Sequence, residues 1–426
     1  MGDRGYIGLS YQQLNSLYGI PTPDASRIDM RQHRSDIAGE LLDPLPGFTR
    51  LRARLRDSRY RHTEIEASGA AGTLFRNDGN ENRFELTHAP LAGWTGVLGL
   101  QTETKTVSAL GEEAILPRTR SRSQGLFLVE DTAWRDFHFE LGARAGSEKR
   151  SPDEPNPSRS FSLASYSAGT VWKFVPGYAL ALNLTSAQRA PAAEELYSNG
   201  AHVATNTFEI GNPALNKESS RNIDLGFRKT AGAWRGKFGL FQNRIKNYIF
   251  ANSADLDGNG IADRVDDTGA PDPNGFLLVN YAQAKASFRG IEAELSYRAD
   301  PSGFGARLFG DRAEGRLSGG GNLPRISPAR LGFEADYKQG AWTGYGTLLR
   351  VFRQDRVAAL ESETRGYTRL DAGLEYALKN SDKVSTVLFL RGSNLLNQDM
   401  RVHTSFIKDF APMPGRSIVA GLRANF

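Results

Sequence analysis

The chain has 426 residues, no cysteine and a formal net charge of +5. That length suits two or three ordinary domains or one large barrel; the missing thiols exclude disulfides and thiolate catalysis, and so small a charge, spread along the chain, argues against a nucleic-acid partner. No apolar run approaches the roughly 18 residues of a membrane helix, a test that membrane β-strands escape because they show lipid only every second residue.

In chain order, the first long alternation is "TRLRARLRDSRYRHTEIE" (49–66), with Arg50, Arg52, Arg54 and Arg56 on one face and Leu51, Ala53 and Leu55 on the other. "YALALNL" (178–184) alternates more loosely. In "GYTRLDAGLEYAL" (366–378), Leu370, Ala372, Leu374 and Tyr376 oppose Arg369, Asp371, Gly373 and Glu375. "KVSTVLFLRG" (383–392) follows, and "SIVAGLRANF" closes the chain with Ile418, Ala420, Leu422, Ala424 and Phe426 on one face. Period two predicts strands, about eighteen of them, most with ten residues or more and so longer than is usual in globular sheets. Short connections are read at 43–47, 88–94, 175–177, 230–234, 300–303, 338–342 and 379–383. Long polar ones are read at 145–158, 186–218, 252–275 and 397–415, and the two classes alternate.

Short turns at one rim and long loops at the other predict an all-β, antiparallel transmembrane barrel. A soluble β-sandwich or propeller explains alternation but not strands this long with a regularly ionised second face. The arginines are therefore expected to line a watery lumen, while the leucines meet lipid.

Two stretches go beyond architecture: "SAQRAPAAEELYSNGAHVATNTFEIGNPALNKESSRNIDLGF" (186–227) and "GSNLLNQDMRVHTSFIKDFAPMPGRSIVAGLRANF" (392–426). Both resemble TonB-dependent outer-membrane receptors, over nearly the whole chain. Within that family, "GLSYQQLNSLYGIP", "DSRYRHTEIE" and "GAHVATNTFEIGN" look most like the zinc-uptake branch. The loop after "YGIP" departs from that branch, reading "TPDASRIDMRQ" with only Asp24 where histidines are common. The resemblance implies a Gram-negative outer-membrane location, a barrel of 22 strands in full-length members, and uptake of a metal ion such as zinc or a metal chelate such as a siderophore. It implies lipid and the barrel-assembly machinery as partners, with Phe426 as the insertion signal, and energy from TonB–ExbB–ExbD through a plug. Read against the family, residues 1–426 correspond to the carboxy-terminal barrel portion; signal peptide, TonB box, plug and first strands are not found here. The expectation is a receptor barrel, with a passive pore or a non-functional fragment as the alternatives.

Counting rims from the short turns places His62 and His202 on the long-loop side, with Glu64, Glu66 and Glu209 near them in sequence. Imidazole and carboxylate suit zinc, so His62, Glu64, His202 and Glu209 form a candidate ligand set. The competing reading is a pair of solvated loop histidines. His403 is the remaining histidine of the long loops.

"DLDGNGIADRVD" (255–266) follows the calcium-loop pattern, with Asp255, Asp257, Asn259, the Ile261 carbonyl and Asp263 at ligand offsets and Asp266 in place of the closing glutamate. Without flanking helices it would be a free-standing calcium loop, or else an ordinary Gly/Asp/Asn turn. No G-x-S-x-G, phosphate-binding loop, H-E-x-x-H or cysteine nucleophile is present, so an enzyme and a required cofactor are not expected.

Overall fold

The computed structural model describes residues 4–21, 26–111, 114–378 and 384–425. Asp24, the short turn read at 379–383 and Phe426 lie outside them. The strands are β1 (Gly5–Gly19), β2 (Arg27–Leu45), β3 (Phe48–Ile65), β4 (Ala71–His88), β5 (Thr95–Leu110), β6 (Thr119–Trp134), β7 (Phe137–Pro152), β8 (Arg159–Val175) and β9 (Tyr178–Arg189). After the helix α1 (Ala193–Tyr197) come β10 (Asn199–His202), β11 (Thr207–Ile210), β12 (Glu218–Lys229), β13 (Trp234–Ser253), β14 (Arg264–Val265) and β15 (Phe276–Arg298). The series ends with β16 (Gly303–Leu317), β17 (Arg330–Gln339), β18 (Trp342–Val351), β19 (Tyr367–Ala377), β20 (Ser385–Ser393) and β21 (Ser417–Asn425). Setting aside the short β10, β11 and β14 leaves eighteen long strands, as the periodicity predicts.

All 21 strands belong to one sheet. Successive strands from β1 to β7 and from β16 to β21 pair antiparallel, whereas β11 and β15 run parallel. Two compact units divide the chain. The first comprises Met1–Thr170, Asn183–Asn222 and Arg244–Ala286; the second comprises Val171–Leu182, Ile223–Asn243 and Ser287–Phe426.

Register makes the two faces explicit. Across β2, β3 and β4, Asp36 opposes Arg56, which opposes Glu81, while five residues along each strand, and so on the other face, Leu41, Leu51 and Leu86 line up. Arg56 bonds both carboxylates, at 2.8 and 3.2 Å, and Arg52 bonds Glu40 at 2.7 Å. The other face is apolar and open: Leu98, Leu126, Leu374 and Leu422 are 50, 58, 44 and 58% exposed. A face of exposed aliphatics this extensive needs lipid against it. Leu374 and Leu422 lie outside, and Asp371 pairs with Arg369 on the ionised face, so the predicted polarity holds.

Two features of the sheet are not evident from alternation. All five tryptophans (94, 134, 172, 234 and 342) lie within a few residues of a short turn, and four contact aromatic rings: Trp134 stacks on Phe137, while Trp172, Trp234 and Trp342 meet Phe174, Tyr297 and Tyr376 at a tilt. This is the interfacial aromatic belt of a membrane barrel. On the ionised face, aromatic rings lie over bare glycines opposite them. A Cβ on Gly99 would come within 2.0 Å of the Phe127 ring, and one on Gly332 within 2.2 Å of Phe309. Arg83 and Arg307 then cover those rings at 4.3 and 4.4 Å, so each glycine makes room for a stacked cation–π pair.

The connection read at 145–158 is shorter than expected, because β7 continues to Pro152, paired with Thr119. Polar residues do not end a strand above the membrane while its partner continues the hydrogen-bond ladder; the prolines at 155 and 157 do.

Candidate metal centre

A tilted strand crosses the hydrocarbon in about 9–11 residues. β3 starts at Phe48 beside its short turn, so His62 and Glu64 lie beyond the spanning stretch, on the face that carries Arg50 to Arg56. The cross-strand partner of His62 is Phe75 on β4. Their rings stack at 4.5 Å, and the Tyr60 hydroxyl lies 2.9 Å from His62 Nδ1. Tyr60 and Nδ1 share one hydrogen bond; when Nδ1–H is the donor, the ring lone pair is on Nε2.

The second histidine arrives from about 140 residues away. The segment after β9 folds into α1 and the β10–β11 hairpin, and Leu196, Tyr197 and Leu215 bury themselves beside Val107, Phe161 and Ile249. Phe75 and Tyr281 pack against this same core. His202 thereby comes to rest near Phe75, with ring centroids 6.4 Å apart, and its Nδ1 is 2.9 Å from Glu209 Oε1. Glu209 also accepts from the Tyr281 hydroxyl at 2.9 Å and the Thr207 hydroxyl at 3.2 Å.

Electrostatics follow from this packing. Burial, and then the charge of His202, lowers the pKa of His62, so its imidazole is neutral at neutral pH. Burial alone would raise Glu209, but hydrogen bonds from His202, Tyr281 and Thr207 outweigh it, and Glu209 stays ionised. Burial and the neighbouring Glu209 push the Tyr281 phenol up, which keeps it a donor. A neutral imidazole beside an ionised carboxylate is the donor chemistry of a borderline divalent ion.

Of the four predicted residues, His62 and His202 flank the Phe75 ring and Glu209 bonds His202. Glu64 is buried two residues along the same strand face, while Glu66 accepts from Ser68 in the β3–β4 turn. Among the described residues, the group of three or more acidic or imidazole side chains with ligand atoms within 4.8 Å of one another is Asp255, Asp257 and Asp263. There Asn259 and Gly260 donate backbone N–H groups to Asp255, and Leu256 donates to Asp263 at 2.6 Å. Gly258 and Gly260 adopt positive φ, which the tight turn needs. Asp266 stands apart, its carboxylate taken by Thr268 and Ala270.

His403 is buried elsewhere, in the second unit. Its Nδ1 is 3.0 Å from the Thr364 hydroxyl, and its Nε2 is 3.3 Å from Glu361 without hydrogen-bond alignment. Lys408 donates to Glu361 at 3.3 Å and to the Ser362 carbonyl at 2.7 Å. This knot ties two long loops together. Sequence reasoning missed Tyr60, Phe75 and Tyr281; counting outward from the 66–70 turn sets Leu74 opposite His62, and it is the register shift between Thr63 and Ile65 that brings Phe75 there.

Both distinctive motifs also pin their loops in place. In the first, Arg189 forms a bidentate pair with Glu195 and also bonds Glu218 at 2.8 Å, while Glu218 accepts the Ile249 N–H. In the last loop, buried Asn394 donates to the Gln398 and Pro414 carbonyls, and Asn397 accepts from the Arg416 N–H.

Residues 3–395 match the family described as "TonB dependent receptor-like, beta-barrel". Solved structures of similar fold include the copper transporter OprC (14% identity, 99% of this chain and 69% of that one, TM-score 0.80). The FrpB iron transporter from Neisseria meningitidis follows at 15% identity, covering 100% and 70%, with TM-score 0.74. The ferric-catecholate import receptor Fiu from E. coli K12 matches at 13% identity, 100% and 72%, with TM-score 0.72. At these identities the likeness speaks for the fold, and the zinc-uptake branch finds no separate support among these proteins. The arrangement of faces, the pinned loops and the match over residues 3–395 lead to one conclusion: the chain belongs to the TonB-dependent receptor-like β-barrel family.

Proposed function

We propose that this barrel serves a receptor in the outer membrane that takes up a metal ion or metal chelate, and that His62, Glu64, His202 and Glu209 make first contact with a zinc-type ion. The observation that carries this reading is the meeting of His62 with the His202–Glu209 pair around Phe75, from segments about 140 residues apart. The fold is shared with transporters of copper and iron, which supports a metal as cargo class. Zinc is favoured because nitrogen and carboxylate donors suit it. Uptake would draw energy through TonB.

The test is calorimetric titration of zinc into the folded full chain. His62→Ala and His202→Ala should each weaken binding about tenfold or more, by analogy with the loss of one ligand-sphere partner. Affinity unchanged in both variants refutes the centre.

A calcium ion in the 255–266 loop is a second, separate reading, favoured by the three converging carboxylates. It would brace the loop rather than serve as cargo, with Asp255, Asp257 and Asp263 as ligands.

A further inference from the structure

One patch on the lipid face of the second unit has no part in metal capture. β15 ends at Arg298 and β16 begins at Gly303, so Arg289 and Arg312 each stand tenth from their shared short turn. Arg289 is two residues from exposed Ile291 and Arg312 is four from exposed Leu308, so both leave the sheet on the aliphatic side. A tilted strand crosses the hydrocarbon in about 9–11 residues. The two guanidiniums therefore stand at one height, at the edge away from the short turns.

Glu314 collects three of these cations: Arg289 at 2.8 Å, Arg312 at 2.9 Å, and Arg356 from the loop after β18. The Arg289 hydrogen bond is the main cause that holds Glu314 down at about 2. A carboxylate accepts about four hydrogen bonds while each guanidinium offers about five donors, so Glu314 cannot saturate its partners. Arg312, Arg316, Arg353 and Arg356 line a cavity of about 320 Å³ whose lining includes the carboxylates Glu314 and Asp355, with Glu363 bonded to Arg353.

Arg312 also borders a second space, an apolar groove of about 540 Å³ on the aliphatic face. Gly236, Ala293 and Gly310 contribute little or no side chain to it, and Phe238, Leu295 and Leu331 line it further. A cationic cavity at the headgroup level thus opens onto an acyl-sized apolar channel at the hydrocarbon level.

We propose that cavity and groove together hold one phosphate-bearing lipid of the outer leaflet, with an acyl chain along the groove and the phosphate among Arg289, Arg312 and Arg356. Charge complementarity selects the headgroup, because guanidinium forks match phosphate oxygens in pairs. The inference rests on the membrane placement of the barrel and not on its cargo.

The experiment places the full chain in phosphatidylcholine nanodiscs doped with a bisphosphorylated, acylated disaccharide lipid, or with the same lipid stripped of its phosphates. Native mass spectrometry reads the lipid retained, after insertion has been verified by protease protection. The phosphorylated lipid alone should stay bound. Arg289→Gln with Arg312→Gln should cut retention about tenfold, the loss of roughly one charge-assisted contact. Ala293→Trp, which fills the groove and leaves the arginines intact, should cut it as well. Equal retention of the stripped lipid, undiminished retention in both variants, or displacement by inorganic phosphate would each overturn the proposal. If the double arginine variant fails to fold, Ala293→Trp and the two-lipid comparison on the unaltered chain still decide. A chain that never inserts would overturn the membrane placement too, whereas insertion without selective retention overturns this site alone.

Discussion

Replacing Leu100 with arginine tests the assignment of faces on which every functional statement depends. Leu100 is 39% exposed and lies between Phe84 and Leu126 on the neighbouring strands, both of them exposed as well. β5 begins at Thr95, beside its short turn, so Leu100 is the sixth residue up the strand. At about 3.4 Å per residue and a tilt near 45°, that is about 12–15 Å above the turn, close to the middle of a hydrocarbon layer of about 25–30 Å. An arginine there is expected to cost about 2–4 kcal/mol. The neighbouring position is the control. Gln101 points to the ionised face, where it bonds Glu81 at 2.7 Å, Arg83 at 3.2 Å and Arg144 at 3.3 Å. Gln101→Arg should change stability by no more than about 1 kcal/mol. Reversible unfolding by urea in phospholipid vesicles, followed by tryptophan fluorescence, measures both. If Leu100→Arg is tolerated, or if the two variants cost the same, the leucine face does not meet lipid and the reasoning fails.

Other consequences can be checked separately. Burial would raise Glu361, but the His403 imidazole 3.3 Å away and hydrogen bonds from the Ala358 and Arg325 N–H groups bring it down to about 2 from 4.5, so its stabilisation is complete above pH 4.5 and lost as the pH falls through about 2. Glu361→Gln should therefore loosen the loops it ties by about 3 kcal/mol at neutral pH, and the gap to the unaltered chain should close on acidification; a pH-independent gap in protease susceptibility contradicts this. His62, held neutral in the folded chain, should lose stability as pH falls below its unfolded value of 6.5, and zinc should still bind at pH 6; a His62→Ala variant with the same acid profile counts against its burial. Calcium should slow proteolysis between Asn252 and Gly275, and Asp257→Asn should abolish that protection; cleavage at the same rate with calcium and with chelator refutes the loop site.

The fold was legible because lipid and water impose opposite demands on successive residues. Leu51 beside Arg52, or Leu374 beside Glu375, can mean little else when the pattern recurs in eighteen long strands. The loops were legible only as lengths. That Arg189 would clamp Glu195 and Glu218, or that Asn394 would pin the last loop to Pro414, depends on contacts across tens of residues that no local period encodes. The candidate site was half visible. His62 and His202 stand out as rare residue types, but Tyr281 supports Glu209 across 72 residues through a parallel strand pairing that alternation does not predict. The calcium pattern gave Asp255, Asp257 and Asp263 by spacing and misplaced Asp266, because Thr268 and Ala270 offer its carboxylate nearer donors.

The ionised face carries a further lesson about what fixes register. Its arginines and carboxylates pair in water and remain partly exposed, as Arg56 does between Asp36 and Glu81, and pairs of that kind stabilise a fold little. Their strength lies in the alternative they forbid. A slip of one residue along β3 would turn Arg50, Arg52, Arg54 and Arg56 toward lipid together, and at about 2–4 kcal/mol for an arginine near the midplane the penalty is on the order of 10 kcal/mol. That approaches the whole folding free energy of a typical domain. The alternation of arginine and leucine is thus better understood as a penalty against wrong pairing than as a sum of favourable bonds. It also explains why His62 is delivered opposite Phe75: the same register that keeps four guanidiniums out of the membrane carries the strand, in step, up to the candidate metal centre.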